Sequence, residues 1–251
     1  MAQTDGPKPI IIDRLVFCMD AANPTSFISG STEAYNVAPY KLSTQTGSLI
    51  NSAQYNGAGG GCWEFDGTDD RIDCDTMRNI LSPSAASGSG AASANLQNYT
   101  IEIWIKGDSI ASYDVAIGSA STNFHQGGWS LLFHTGTGYM ADGTWGNGTR
   151  KYPSYGMTAA TAQNNFHMVD ITYDGSTVEI YVNGVLGTTY DAGTVNGDMF
   201  KASEGMSFGG TGQASWAEWD GWIASVKVYA KALTQAEVVH NYNAQKERFG
   251  S

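Results

Sequence analysis

The stretch Phe166–Tyr190, FHMVDITYDGSTVEIYVNGVLGTTY, leaves a chain little choice of fold. It encodes three short strands and two tight turns. His167, Val169, Ile171 and Tyr173 alternate with Met168, Asp170 and Thr172. After Asp174-Gly175, the residues Val178, Ile180 and Val182 alternate with Glu179 and Tyr181, and Asn183-Gly184 then reverses the chain into Val185–Tyr190. A two-residue hairpin loop of type I′ needs positive φ at both central residues, and Asn-Gly meets that need with little strain. Period-two alternation between such turns predicts an antiparallel sheet with one face buried and the other solvated.

Other segments follow the same rule. In Tyr99–Lys106 the residues Ile101, Ile103 and Ile105 form one face, and Thr100, Glu102, Trp104 and Lys106 the other. Ile10–Met19, Trp129–His134, Gly205–Gly210 and Trp222–Tyr229 also read as strands, the last with Trp222, Ala224, Val226 and Val228 on a shared face. Cys62–Ile72 is strand-like but broken at Asp66-Gly67. Asp20–Gly61 and Tyr139–Tyr155 read mainly as loop, with short strands around Lys41-Leu42 and Leu49-Ile50. One helix stands out. Thr234 and Glu237 make a capping box, in which the hydroxyl takes an amide proton inside the helix and the carboxylate reaches back. That helix is expected over Gln235–Asn243, with Val238 and Tyr242 inward. Met1–Pro9 is polar, holds two prolines and reads as a flexible arm. Residues 10–251 read as a single domain, with the low-complexity run SPSAASGSGAASA inside a surface loop, 82–95.

Thirty-one glycines with only 15% charged residues indicate many turns rather than long solvated helices. A sandwich of this length buries enough apolar area to fold without disulfides. Cys18, Cys62 and Cys74 are an odd number with no CxxC pair and read as reduced core thiols; pairing of Cys62 with Cys74 is the alternative. A net charge of -11 repels nucleic acid and anionic membranes. The start, MAQTDGPKP, lacks the basic and apolar regions of a signal peptide, and no apolar run approaches the length of a membrane span. Synthesis in a cytoplasm, with no membrane insertion, is the expectation.

Six blocks occur in a telling order: Leu15–Pro24 (LVFCMDAANP), Trp63–Ile72 (WEFDGTDDRI), Tyr99–Lys106 (YTIEIWIK), Phe166–Gly175, Val178–Leu186 and Asp220–Tyr242, the last carrying ALTQAEV. Together they resemble the concanavalin A-like lectin/glucanase superfamily in its laminin-G-like jelly-roll branch, from Leu15 to the C-terminus. The resemblance implies an all-β fold: a two-sheet antiparallel jelly-roll sandwich with a concave sheet, variable rim loops and one short C-terminal helix. Hydrolases, carbohydrate-binding modules and structural modules share that fold, so it does not settle function. The N-terminal block ending in DAANP is similar to single-domain virion proteins of tailed bacteriophages. This implies a non-catalytic capsid-decorating or tail-associated protein on the virion surface, bound to other virion proteins and to copies of itself. A carbohydrate-binding adhesion module for host surface glycans is the alternative.

Glycoside hydrolysis needs two carboxylates flanking the scissile bond, which the enzymes that this chain resembles supply as E-x-D-x-(x)-E. Glu64-Phe65-Asp66 and Glu218-Trp219-Asp220 come nearest, and neither is followed by the second glutamate. His125, His134, His167 and His240 are scattered without ligand spacing, and no enzyme is expected. Calcium takes six to eight oxygen ligands. The acidic run Asp69, Asp70, Asp73 and Asp75, with Asp220, offers such oxygens, and Asp69, Asp70 and Asp220 are the expected ligands of a structural calcium. Tyr139, Trp145, Tyr155, Trp216 and Trp219 fall in Gly-rich segments and are the candidates for stacking on a glycan or a protein partner. Trp63, Trp104 and Trp222 lie in strands and are expected in the core.

Overall fold

Two sheets packed face to face account for the apolar alternation. The computed structural model describes residues 9–41, 45–74, 98–119, 129–145, 149–191, 206–211 and 218–250, with backbone alone at 119, 129, 143–145 and 149–150. The expected arm up to residue 8, the loop 82–95, Asp75 and Trp216 lie outside the described residues. In chain order the strands are β1 (Leu15–Asp20), β2 (Glu33–Tyr35), β3 (Thr46–Ile50), β4 (Gln54–Asn56), β5 (Cys62–Asp66), β6 (Arg71–Cys74), β7 (Tyr99–Gly107), β8 (Asp114–Ser119) and β9 (Trp129–His134). There follow β10 (Gly138–Trp145), β11 (Thr149–Lys151), β12 (Ser154–Tyr155), β13 (His167–Tyr173), β14 (Thr177–Val182), β15 (Val185–Asp191), β16 (Met206–Phe208) and β17 (Asp220–Tyr229). The first sheet runs β15-β14-β13-β7-β17-β5-β4, with β1 pairing β17 beyond β5. The second runs β11-β10-β9-β8-β16-β6-β3-β2, with β12 pairing β10. The jelly-roll sandwich expected from the strand blocks is the observed architecture.

The hairpin at residues 183–184 forms as expected. Asn183 and Gly184 have φ of 53° and 80°, and Val182 faces Val185 across the ladder. The asparagine does more than turn the chain: its Oδ1 accepts the Met168 N–H at 2.9 Å, and its own N–H donates to the Met168 carbonyl at 2.8 Å. Between the sheets, Ile101, Ile103 and Ile105 of β7, with Val169 and Ile171 of β13, share one core with Ile72, Ile117, Leu131, Phe133 and Phe208 of the second sheet. Each such side chain contributes about 1.5–3 kcal/mol by leaving water.

The outer face of the first sheet departs from expectation. Along its central strands it is not solvated, and β13 is buried along its whole length, while β15 at the edge stays largely exposed. The C-terminal helix (Gln235–Gln245) and a 3-10 turn (Lys246–Phe249) cover it. The capping box of Thr234 and Glu237 starts the helix where the sequence places it, and Val238 is fully buried. Trp104 stacks on Phe249 with ring centroids 4.0 Å apart and on Tyr242 at 6.0 Å. Arg248 fastens the end, donating to Asp20 Oδ2 and the Gly61 carbonyl at 2.8 Å and to the Gly59 carbonyl at 3.0 Å.

Three sequence readings need correction in detail. Trp222, Ala224, Val226 and Val228 do not share a face. A β-bulge between Ile223 and Ser225 inverts the alternation, so that Trp222 and Ala224 join the outer cluster while Val226 and Val228 enter the inter-sheet core. Tyr139–Tyr155 is not mainly loop, because β10, β11 and β12 run through it. A second short helix, Ala159–Asn164, is N-capped by Thr158 and buries Ala162. The cysteines are buried thiols outside any disulfide, as expected; burial pushes the Cys18 thiol up to about 11 and the Cys62 thiol up to about 12. Among the described residues no helix is long and apolar enough to cross a membrane.

Under the C-terminal helix lies a buried polar cluster. Lys227 Nζ donates to Glu102 Oε1 at 2.7 Å, to Gln245 Oε1 at 2.8 Å and to Ser225 Oγ at 3.1 Å. Asn241 Nδ2 and Gln245 Nε2 donate to the Glu102 carboxylate at 2.7 and 2.9 Å. Asp170 stands opposite Glu102 on the next strand, wholly buried, and neither of its oxygens has a hydrogen bond among the described residues. Burial, then the Glu102 charge, push its carboxyl well above the usual range, with Lys227 pulling weakly the other way. The folded chain therefore keeps a proton that the unfolded chain releases. The contribution of Asp170 to stability is fully present below the unfolded carboxylate pKa of about 3.9 and declines by about 1.4 kcal/mol per pH unit as the pH rises towards the folded value. Asp170→Asn removes that decline. In urea titrations the variant gains on wild type as the pH rises above about 4, and a difference that does not change with pH would refute the protonated state.

Candidate functional site

Two concavities hold the residues that chemistry singles out. The first is a shallow groove of about 520 Å³ at one rim. Thr135, Gly136 and Thr137, the turn between β9 and β10, form one wall. Tyr155, Gly156, Met157 and Thr158, after β12, and Thr161 of the short helix form the other. The walls meet closely because Gly138 has φ of 85° and lies against the Tyr155 carbonyl and the Met157 nitrogen, where a Cβ has no room. Tyr155 is half-buried, pairs with Tyr139 across the ladder and rests on the core. His134 Nδ1 accepts the Gly136 N–H at 3.3 Å and lies 3.1 Å from the Thr137 hydroxyl, and the Thr158 and Thr161 hydroxyls are 2.9 Å apart.

His167 supports the second wall from behind. Its Nε2 lies 3.1 Å from the Thr161 carbonyl, which can only accept, so Nε2 carries the proton. Its Nδ1 accepts from Asn183 Nδ2 at 3.1 Å. Burial lowers its pKa, opposed by the bond to Thr161. Among the described residues the lining is four threonines, one tyrosine, one methionine and two glycines, with no charged side chain. A tyrosine among threonines suits an uncharged polar ligand that also has C–H faces.

The second concavity is acidic, about 340 Å³, and includes Glu64, Asp66, Asp70, Asp108 and Asp220 with Trp222 in its lining. Asp66 and Asp220 face each other across β5 and β17. Burial first, then Asp108, Asp114 and Asp66, raise the Asp220 carboxyl. Ligand oxygens of Asp66, Asp69 and Asp70 lie within 4.8 Å of one another. Asp70 is buried and already holds two loops, accepting from the Ser52 N–H at 2.7 Å and the Asp66 N–H at 3.3 Å. These are hard oxygen donors of the kind calcium takes. Asp66 stands with Asp69 and Asp70, and Asp220, the third expected ligand, lines the same pocket as Asp66 and Asp70. Asp73 is engaged elsewhere, in an ion pair with Arg71 at 2.8 Å.

The expected aromatic platform is largely displaced. Tyr139, in β10, and Trp219, in the segment just before β17, are core residues with no exposed surface. Tyr139 points inward from β10, and Trp219 is drawn under by its N–H bond to the Gly209 carbonyl at 2.9 Å. For Trp145 the backbone alone is described, and Trp216 is outside the described residues. Tyr155 is the candidate that reaches a groove. Trp63 and Trp104 are core, as expected, while Trp222 is half-buried with Lys106 Nζ 4.9 Å above its ring. Neither glutamate of the two acidic triplets is free: Glu64 accepts from Asn56 at 2.8 Å, and Glu218 accepts from the Thr211 N–H at 3.1 Å while lying against Gly210. Burial pushes Glu218 up to about 7. Trp219→Ala should cost about 3–5 kcal/mol of folding stability by the cavity it leaves. A chemical-denaturation shift below about 1 kcal/mol would restore Trp219 to the surface.

The match to known families agrees with this geometry. Residues 83–239, more than half of the chain, match the family described as the concanavalin A-like lectin/glucanases superfamily. Among solved structures, domain 4 of a GH43 extracellular arabinanase from Geobacillus stearothermophilus, in complex with arabinotriose, is similar with a TM-score of 0.62 and 16% identity, covering 91% of this chain and 98% of that one. The botulinum neurotoxin serotype D ligand-binding domain in complex with N-acetylneuraminic acid is similar with a TM-score of 0.66 and 17% identity, covering 94% of this chain and 52% of that one. The binding domain of botulinum neurotoxin DC in complex with rat synaptotagmin II has a TM-score of 0.65 and 15% identity, over 94% and 52%. The chain thus spans about half the length of the toxin domains. A search of curated protein sequences finds no match.

Proposed function

Because the chain belongs to the concanavalin A-like lectin/glucanase superfamily, we propose that it is a non-catalytic binding module that holds a glycan in the Tyr155 groove. The observation that carries this reading is the lining, four threonines and a tyrosine with no charged residue among the described ones, on a chain whose net charge is -11. Sugar C–H groups stack on the ring and sugar hydroxyls meet the threonines. Similar folds solved with arabinotriose and with N-acetylneuraminic acid support the ligand class. The engagement of Glu64 and Glu218 in internal hydrogen bonds supports a role without catalysis.

The biological setting we propose is the surface of a tailed-bacteriophage virion, with the module on capsid or tail beside other virion proteins and further copies of itself. The similarity of the Leu15–Pro24 block to virion proteins of that kind supports it. Immunogold labelling of purified particles tests the setting, and unlabelled particles would count against it.

The binding role is tested on a glycan array. Wild type should give a defined set of hits, and Tyr155→Ala should weaken them roughly tenfold, the loss of about 1.4 kcal/mol typical of a contributing contact residue. Hits that survive Tyr155→Ala unchanged would move the site elsewhere. Release of reducing sugar from any hit would make the protein an enzyme.

A further inference from the structure

Three ionisable side chains form a row across the first sheet under the C-terminal helix. Asp170, Glu102 and Lys227 stand opposite one another on β13, β7 and β17. Cross-strand neighbours of this kind have Cβ atoms about 4.5–5.5 Å apart. Asp170 and Glu102 are wholly buried and Lys227 is 2% exposed. Lys227 Nζ lies 2.7 Å from Glu102 Oε1. The carboxyl carbon is one C–O bond further, which brings the nitrogen to about the 3–3.5 Å of a near-attack contact. Asn241 donates to Glu102 Oε2 and Gln245 to Oε1, so negative charge on either oxygen meets an N–H. An ion pair alone accounts for Lys227 and Glu102 but gives Asp170 no part. Its carboxyl has no hydrogen bond among the described residues, and burial keeps it protonated beside the same glutamate. An amine, a carboxyl carbon, donors for an oxyanion and an acid with a proton to give are the components of amide formation. In water the full solvation of ammonium and carboxylate holds that reaction back. Here it turns two buried charges into one neutral amide and sends a water molecule out to solvent.

We propose that in the folded chain Lys227 and Glu102 condense to an amide between Nζ and Cδ, with Asp170 as the acid that moves the proton. A proton first passes from the ammonium to the carboxylate along their hydrogen bond, which leaves a free amine and a neutral acid. The amine lone pair attacks Cδ, and the carbonyl π pair moves onto its oxygen, where the helix amides hold the charge. Asp170 gives its proton to the hydroxyl oxygen. The C–O bond breaks, its electron pair leaves with water, and the oxyanion closes to a carbonyl again. The surplus proton on the nitrogen goes to Asp170, which is restored. One ammonium and one carboxylate have become one amide and one water, and nothing is oxidised or reduced. The bond joins residues 125 apart in the chain, so it closes a long loop in the unfolded ensemble. It does not depend on the groove or on any ligand.

The test is the intact mass of the full chain, purified folded and measured denatured, followed by protease digestion and peptide mapping. Wild type should be lighter than its sequence by one water, and a branched peptide should carry both Glu102 and Lys227. Lys227→Arg keeps the charge without an amine that can condense and should show the full mass. Asp170→Asn keeps the ion pair and the shape of the side chain but not the acid. It should form the branched peptide about a hundredfold more slowly, the low end of what a positioned acid contributes. Wild type that stays at its full sequence mass after prolonged incubation in the folded state would overturn the proposal. So would a missing water that maps to an Asp-Gly step such as Asp66-Gly67 or Asp174-Gly175, where a succinimide has formed instead. A branched peptide formed as fast in Asp170→Asn as in wild type would overturn the part given to Asp170 and leave the bond.

Discussion

A lysine ammonium and a glutamate carboxylate 2.7 Å apart, both shut off from water, decide what the first sheet can do. Burying such a pair is tolerable only when the remaining lone pairs and protons find partners, and removal of one member strands a charge. Asn241 and Gln245 supply those partners from the C-terminal helix. The helix is thereby tied to β7 and β17 by polarity, as it is tied by packing through Trp104 and Phe249. With its inner face against the second sheet and the outer face of its central strands under the helix, the first sheet keeps its exposed surface mainly towards the edge strand β15. The two concavities described lie instead where turns and strand ends meet.

Much of this was legible from local chemistry. The Asn-Gly turn and the Thr234–Glu237 box each satisfy their own backbone within a few residues, so neighbouring sequence suffices to identify them. What was not legible depends on partners far along the chain. The buried outer face of β13 needs a helix about seventy residues later, and nothing in Met168, Asp170 and Thr172 announces it. The bulge at Ala224 adds one residue with no sequence mark, and every side chain beyond it changes face. β10 hides because Gly138 and Gly143 interrupt its alternation, although Tyr139 and Ala141 keep their inward parity.

The candidate site was less readable than the fold, for a related reason. Aromatics in glycine-rich stretches look exposed, yet Tyr139 and Trp219 fill the core because the glycines around them let backbones approach closely. The groove is lined instead by threonines, which carry no motif and become a surface only when a β-turn, a strand end and a short helix converge. Asp69 and Asp70 could be picked out because they are adjacent in the chain. Asp66 joins them through the corner where β5 leaves one sheet and β6 enters the other.

The three thiols complete the physical picture. Cys62 and Cys74 occupy strands of opposite sheets, Cys18 lies under the C-terminal cover, and burial keeps the Cys18 and Cys62 sulfurs in their unreactive SH form. No disulfide takes part in holding the sandwich together. The folded molecule is therefore indifferent to redox potential: it can mature among reductants, pass into an oxidising medium and keep the same shape in both.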